Sequence, residues 1–187
     1  MSRARRIIAA TGILATAGFG SLAAATTAGA TTSACKSNPY CYTQEVHNTN
    51  LVMSVGSNRG HYSNDKVVVQ KQNDRSTASD FLDGLAPFPK TTNAKFFEYA
   101  PKGKQSGYCV SEPWKHSGLV LRSCDGSSNQ AWDAVSTAGS YEWINEATGD
   151  AMTDPGSHHS SYGKAGTQIT GASATGAASQ LWDAVDS

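Results

Sequence analysis

Acidic and aromatic residues follow each other within a few positions at two places in the second half of the sequence, and an amide residue follows the first of them. Glu112 and Trp114 stand two residues apart with Asn129 further along, and Asp154 is followed by Tyr162. A carboxylate accepts hydrogen bonds from neighbouring hydroxyl groups, and an aromatic ring packs on an apolar C–H face. These five residues are therefore the candidate binding residues, for a ligand that presents hydroxyl groups beside an apolar face.

Residue types that support catalysis or metal binding form no recognisable pattern. His158 and His159 are adjacent, but neighbours in sequence rarely converge on one ion, and no acidic or Cys partner stands at ligand spacing. The sequence shows no Ser/His/Asp order, no paired catalytic carboxylates and no phosphate-binding loop. We therefore expect a non-enzymatic protein that needs no metal and no other cofactor.

The segments that position these residues belong to an internal repeat. The sequence QAWDAV at 130–135 recurs as QLWDAV at 180–185, and Phe81 with the nearby Asp83 ends an earlier copy. The interval is about 50 residues both times, which is the sign of a repeated structural unit. An aromatic residue followed by Asp thus ends each third of the chain, and we expect Phe81, Trp132 and Trp182 to pack in a shared core.

Each third contains four short runs of β-branched and aromatic residues, separated by Gly, Asn, Ser and Pro. The predicted strands are 42–47, 51–55, 66–71 and one at Phe81; then 95–99, 108–111, 119–122 and 132–135; then 141–145, 151–153, 167–170 and 181–185. One repeat of this size cannot bury its own apolar face, so three must share one core. The sequence predicts an all-β fold of about twelve short strands in three repeats, at about 41–85, 93–135 and 140–187.

The first thirty residues are typical of a secretory signal peptide. Arg3, Arg5 and Arg6 precede an apolar, Ala-rich stretch, and small residues at 28–30 suit a signal peptidase. We place cleavage after Ala30, with Ala25 and Ala34 as alternatives, which leaves 31–187 as one domain. A membrane anchor is the competing interpretation, which the Gly and Thr content of the stretch disfavours. We expect a secreted, extracellular protein with no membrane association after signal removal.

The charge of the exported chain disfavours polyanionic partners. The signal removes three of the 15 basic residues and none of the 15 acidic ones, so the formal charge of the remainder is −3. Nucleic acids and anionic membranes both require clustered Lys and Arg. We therefore expect neither as the main partner.

Four cysteines in an exported chain indicate two disulfides, with three possible pairings. We favour Cys35–Cys41 and Cys109–Cys124, because each pair is close in sequence and lies at matching strand edges. Free thiols or a zinc site are the alternatives, and the absence of two-residue CxxC spacing disfavours zinc.

The middle repeat resembles a ricin-type lectin repeat. It contains GYCV at 107–110, LRSC at 121–124 and NQAW at 129–132, and the final repeat is similar without the cysteines, ending in SQLW at 179–182. The resemblance covers about residues 41–187. It implies a β-trefoil, a six-stranded barrel capped by three hairpins, in which Gln130 and Gln180 brace their repeats.

The resemblance also shows where this chain differs from sugar-binding relatives. Galactose-binding members use an Asp directly after Cys-Val, and this chain has Ser111 there, with Ser54 and Thr153 at the equivalent positions. The ring positions of the third strand fall near Gln70, Arg122 and Ala172. We therefore expect a degenerate or relocated sugar site.

A relocated site would lie in the loops that directly follow the positions where this chain has Ser or Thr in place of the Asp of sugar-binding relatives. In the middle repeat Glu112, Trp114 and Asn129 are the expected contacts, and in the final repeat Asp154 and Tyr162. The first repeat has Tyr62 but no acid beside Ser54, so it should not bind.

Three functions from different classes are compatible with these features, and one of them is a purely structural secreted protein. The first is a secreted carbohydrate-binding, lectin-like module whose partner is an extracellular glycan or polysaccharide. The second is a protein-binding β-trefoil, such as a secreted protease inhibitor, which would use a long loop at 83–93 or 154–166 to contact a secreted protein.

Overall fold

The computed structural model describes residues 41–56, 62–71, 79–86, 94–137, 139–156 and 166–185. All of them belong to one compact unit, Thr31–Ser187. The predicted export signal, Met1–Ala30, lies outside the described residues. No helix in the described ranges is long and apolar enough to cross a membrane.

Short strands make up most of the regular structure, and thirteen fall within the described residues, where the sequence predicted about twelve. The first repeat contains β1 (Cys41–Val46), β2 (Leu51–Val55), β3 (Val67–Lys71) and β4 (Phe81–Leu85). The second contains β5 (Ala94–Tyr99), β6 (Tyr108–Ser111), β7 (Val120–Ser123) and β8 (Trp132–Thr137). The third contains β9 (Ser140–Asn145), β10 (Asp150–Thr153), β11 (Thr167–Gln168), β12 (Thr170–Ser173) and β13 (Leu181–Val185).

The extra strand arises because the predicted strand 167–170 is divided at Ile169. β11 pairs with β3 of the first repeat, whereas β12 pairs with β10 of its own repeat. Ile169 lies between them and directs its backbone N–H to Val67 O at 2.9 Å. The chain thus changes partner at this residue, which its sequence alone does not reveal.

The first and last strands of each repeat close into a six-stranded antiparallel barrel. Around the barrel the order is β1, β4, β5, β8, β9 and β13, and β13 pairs again with β1. The middle strands of each repeat form a hairpin: β2 with β3, β6 with β7, and β10 with β12. Closure of the barrel removes the free sheet edges that would otherwise invite association.

Three equivalent backbone hydrogen bonds join the hairpins into a cap. Val67 N–H donates to Leu119 O at 3.0 Å, Leu119 N–H to Ile169 O at 2.8 Å, and Ile169 N–H to Val67 O at 2.9 Å. The bonds form a closed ring, and all three side chains are fully buried. The ring therefore shows the pseudo-threefold relation of the repeats at the level of single atoms.

The repeated aromatic residues lie in one core inside the barrel. Phe81, Trp132 and Trp182 are each 0% exposed. The indole N–H of Trp132 donates to Val110 O at 3.3 Å, and that of Trp182 donates to Met152 O at 2.9 Å. Each indole thus buries its apolar area while its one polar group is satisfied, which makes it a strong core residue.

The predicted pairing of Cys109 with Cys124 is confirmed by a disulfide between them. It links the start of β6 to the residue after β7 and closes the middle hairpin. Cys41 is also disulfide-bonded, and the partner predicted for it, Cys35, lies outside the described residues.

Candidate functional site

The first predicted acceptor of the middle repeat, Glu112, does not reach the surface. The residue directly follows β6, and its side chain is 0% exposed. Thr148, which belongs to the final repeat, donates a hydrogen bond from its Oγ1 to Glu112 Oε2. A sugar has no access to this carboxyl group, so the structure contradicts the assignment of Glu112 as a surface contact.

Glu112 instead faces a second buried carboxyl group, that of Asp150 on β10, which is 1% exposed. Asp150 Oδ2 accepts the backbone N–H of His116 at 2.5 Å and lies 2.9 Å from its Nδ1. Desolvation by burial, together with the neighbouring Asp150 carboxyl group, raises the pKa of Glu112 to about 7, although the hydrogen bond from Thr148 lowers it. The pair therefore anchors the 113–117 loop of the middle repeat to the final repeat.

The other two predicted contacts of the middle repeat have different environments. Trp114 is 68% exposed, so its indole is presented to solvent. Asn129 is half-buried, its Oδ1 lies 2.5 Å from Ser127 Oγ, and its carbonyl accepts the Glu112 N–H at 3.0 Å. Of the three predicted residues, Trp114 is therefore the most exposed.

The predicted pair of the final repeat is only partly described. Asp154 is 6% exposed, and its Oδ1 accepts the N–H of Gly156 at 3.0 Å, which forms a local turn. Tyr162 lies outside the described residues. The carboxylate of Asp154 thus has a structural partner in its own loop.

Ser111, Ser54 and Thr153, the positions at which the sequence predicted a replaced Asp, have short hydroxyl side chains that are at least half-buried. Ser111 is 0% and Ser54 is 2% exposed. Thr153 Oγ1 donates to Ala151 O at 2.8 Å and accepts from Gln180 Nε2 at 3.1 Å. Two of these hydroxyl groups are therefore buried, and the third is held by hydrogen bonds within its own repeat.

In the middle and final repeats a glutamine connects the last two strands, β7 with β8 and β12 with β13. Gln130 Nε2 donates to Ser123 O at 2.8 Å, and its Oε1 accepts the Asp125 N–H at 3.1 Å. Gln180 makes the same two contacts, to Ser173 O at 2.9 Å and from Thr175 N–H at 2.9 Å. Both amides are buried at 3% exposure, so they hold the turn that follows the third strand.

That turn in the middle repeat borders a cleft of about 280 Å³. Its described lining consists of Ala86, Phe96, the disulfide-bonded Cys109 and Cys124, residues 125–127 and Gln130. The cleft therefore combines an aromatic ring, an apolar disulfide and a polar turn. We refer to it below as the middle-repeat cleft.

The polar side of the cleft carries one fixed negative charge. Ser127 donates to Asp125 Oδ1 through its backbone N–H at 2.9 Å and its hydroxyl at 2.5 Å. These hydrogen bonds lower the pKa of Asp125 below its usual value. Both of these hydrogen bonds reach Oδ1. None of the described lining residues is positively charged.

The aromatic side of the cleft depends on a glycine in the neighbouring strand. Phe96 on β5 pairs with Gly84 on β4. A Cβ at residue 84 would lie 2.7 Å from the Phe96 ring. The ring therefore covers the backbone of β4, and the absence of a side chain at Gly84 allows this close packing.

A Ser, a His and an Asp also meet on the outer side of the barrel. Ser140 Oγ lies 2.7 Å from His47 Nδ1, and Asp183 Oδ2 lies 3.0 Å from the same nitrogen. A catalytic triad places the hydroxyl and the carboxylate at opposite ring nitrogens. The cluster therefore has the residue types of a triad without its geometry, and it joins β13 to the ends of β1 and β9.

Sequence reasoning missed Asp125 and Phe96 as candidate binding residues. The Asp-Gly-Ser sequence at 125–127 directly follows Cys124 and is a turn signal with a carboxylate. Phe96 gave no comparable signal, because its contact with the cleft depends on strand pairing with Gly84.

Comparison with solved structures identifies the fold. A designed threefold-symmetric protein, ThreeFoil, matches with a TM-score of 0.61 and 15% identity over 78% of this chain and 98% of its own. The BEL β-trefoil matches with a TM-score of 0.56 and 9% identity over 79% of this chain and 94% of its own. The chain is therefore a β-trefoil, as the sequence predicted.

Lectins are among the structural neighbours. The lectin of Polyporus squamosus, solved with a human-type influenza-binding epitope, matches with a TM-score of 0.57 and 15% identity over 77% of this chain. The match spans 48% of the lectin chain, so this protein corresponds to about half of it. Neither a family model nor a curated protein matches the sequence, and the ricin-type resemblance stays a prediction.

Proposed function

We propose that this protein is a secreted, non-catalytic carbohydrate-binding module that uses the middle-repeat cleft. The observation that carries the proposal is that one cleft is lined by both an aromatic residue, Phe96, and an acidic residue, Asp125. A sugar presents hydroxyl groups beside an apolar C–H face, and a ring with a charged acceptor matches both. The β-trefoil fold, which lectins share, supports the same proposal.

The proposal moves the binding site away from the residues that the sequence suggested. Glu112 and Asp154 are buried and already have protein partners. Asp125 has the properties that these acids lack, because it is exposed and held as a carboxylate by Ser127. Trp114 remains an exposed ring outside the lining of the cleft, and it provides a direct comparison.

One small cleft should bind sugar weakly, on the order of millimolar. Retention on a polysaccharide would then depend on several modules or several sites acting together. An assay with immobilised polysaccharide is therefore more sensitive than a solution measurement with a free monosaccharide.

The test is a glycan array and a polysaccharide-retention assay with the exported protein and three variants. We expect Phe96→Leu and Asp125→Asn to weaken retention about tenfold each, which corresponds to about 1.4 kcal/mol. Trp114→Ala is the matched control and should bind like the parent. Trp114→Ala and Asp125→Asn should show the parent's melting curve, since both residues are exposed. Phe96→Leu should melt at a slightly lower temperature, because it replaces a ring that packs over Gly84.

Two outcomes would contradict the proposal in different ways. Loss of retention only in Trp114→Ala, deepened by Tyr162→Ala, would place the site in the loops predicted from the sequence. If no glycan on the array is bound and the protein inhibits a common protease, the protein-binding alternative is favoured.

A further inference from the structure

We propose that the middle-repeat cleft recognises the acetamido group of N-acetylated hexosamines. This inference rests on the proposed function and names its class of sugar. An acetamido group consists of a methyl group, an N–H donor and a carbonyl, and it distinguishes these sugars from plain hexoses.

The apolar part of the cleft is suited to the methyl group. Ala86, the Phe96 ring and the Cys109–Cys124 disulfide form its walls. A hexose hydroxyl placed against these walls would lose its hydrogen bonds to water without replacement, which is unfavourable. A methyl group in the same position buries apolar area and is favoured.

The polar part of the cleft is suited to a donor. Asp125 is a carboxylate and can only accept hydrogen bonds. Gln130 uses one N–H of its amide for Ser123 O and accepts the Asp125 N–H at its Oε1, so both ends of this amide are engaged in the turn. An amide N–H, which only donates, therefore complements the Asp125 carboxylate.

Charge and size narrow the ligand further. The lining contains one negative and no positive side chain among its described residues, so a uronic or sialic acid carboxylate would be repelled. The volume of about 280 Å³ lies near the lower limit for ligand pockets, which is about 300 Å³. The cleft should therefore take one sugar residue with its substituent.

The experiment compares four free sugars on the ¹⁵N-labelled exported protein by NMR titration. N-acetylglucosamine should bind about tenfold more tightly than glucose, and glucuronic acid should produce no shifts. The shifts should centre on residues 96 and 124–127. Asp125→Asn and Phe96→Leu should each weaken N-acetylglucosamine binding several-fold, while Trp114→Ala should leave it unchanged.

The fourth sugar, glucosamine, has an ammonium group in place of the acetamido group. It therefore tests whether the cleft recognises the amide or a positive charge. Tighter binding of glucosamine than of its N-acetyl form would overturn the inference in favour of ammonium recognition by Asp125. Equal binding of glucose and N-acetylglucosamine would also overturn it, although the proposed function would stand. Unchanged N-acetylglucosamine binding in both cleft variants would show that the acetamido group is bound elsewhere. If none of the four sugars binds in the NMR titration and no glycan binds on the array, the proposed function itself is refuted.

Discussion

The buried pair of Glu112 and Asp150 should make the protein less stable as the pH rises towards neutrality. Burial raises the pKa of Glu112 from its usual 4.5 to about 7 in the folded state. Below pH 4.5 the group is protonated in both the folded and the unfolded chain, so Glu112 does not lower the free energy of unfolding. Between pH 4.5 and 7 the unfolded chain releases this proton more readily than the folded chain, and the free energy of unfolding falls.

The magnitude follows from the two pKa values. Each pKa difference of one corresponds to about 1.4 kcal/mol, so Glu112 should lower the free energy of unfolding by about 3 kcal/mol between pH 4.5 and 7. Above pH 7 this contribution becomes constant. Asp83, whose pKa is also raised by burial, should add a decrease of the same sign.

Urea unfolding from pH 4.5 to 8, followed by tryptophan fluorescence, measures this decrease. Glu112→Gln keeps the shape of the side chain, removes the titrating group and provides an N–H₂ donor for Asp150. We expect this variant to lose most of the pH dependence and to be more stable than the parent at pH 8. Glu45→Gln, which replaces a half-buried glutamate on β1, is the control and should keep the parent's slope.

Two results would refute this reasoning. One is an identical pH slope in the parent and in Glu112→Gln, which would show that Glu112 does not retain its proton on folding. The other is a parent protein whose free energy of unfolding rises between pH 5 and 7.

Two further predictions concern the core and the cysteines. Trp182→Ala should lower the free energy of unfolding by about 3–5 kcal/mol in urea titrations, because it removes a fully buried indole from the barrel; an unchanged midpoint would contradict a shared core at this position. Peptide mass mapping of the exported, non-reduced protein should find Cys35 joined to Cys41 and Cys109 joined to Cys124, and a Cys35–Cys109 link would show that the predicted repeat boundaries are wrong.

The fold could be predicted from the sequence because its determinants are local and repeated. The aromatic residue at the end of each third gives the period, and the short β-branched runs give the strands. In the structure Phe81, Trp132 and Trp182 all lie in the barrel core. Repetition makes such a pattern visible in one sequence, because each copy supports the interpretation of the others.

The candidate site could not be predicted in the same way, because its geometry depends on glycines in distant strands. A Cβ at Gly171 would lie 1.8 Å from Glu112 Oε1 and 3.1 Å from Asp150 Oδ2. Glu112 is therefore buried because a residue in the next repeat has no side chain. Gly84 plays the same part for Phe96. A short sequence pattern contains the acid or the ring but not the distant glycine that decides where it points.

Specific chemistry in a threefold scaffold must come from the positions where the repeats differ. The turns that follow β7 and β12 share a backbone: Gly126 and Gly176 have φ of 73° and 67°, and Gln130 and Gln180 make the same pair of hydrogen bonds. Thr175 occupies the position of Asp125, and its hydroxyl donates to Gln180 Oε1 at 2.8 Å. The final repeat thus uses this position to reinforce its own turn, whereas the middle repeat presents a carboxylate beside a disulfide and a ring. The same scaffold therefore accounts for the symmetric core and, through a few substituted positions, for the cleft that we propose as the binding site of the middle repeat.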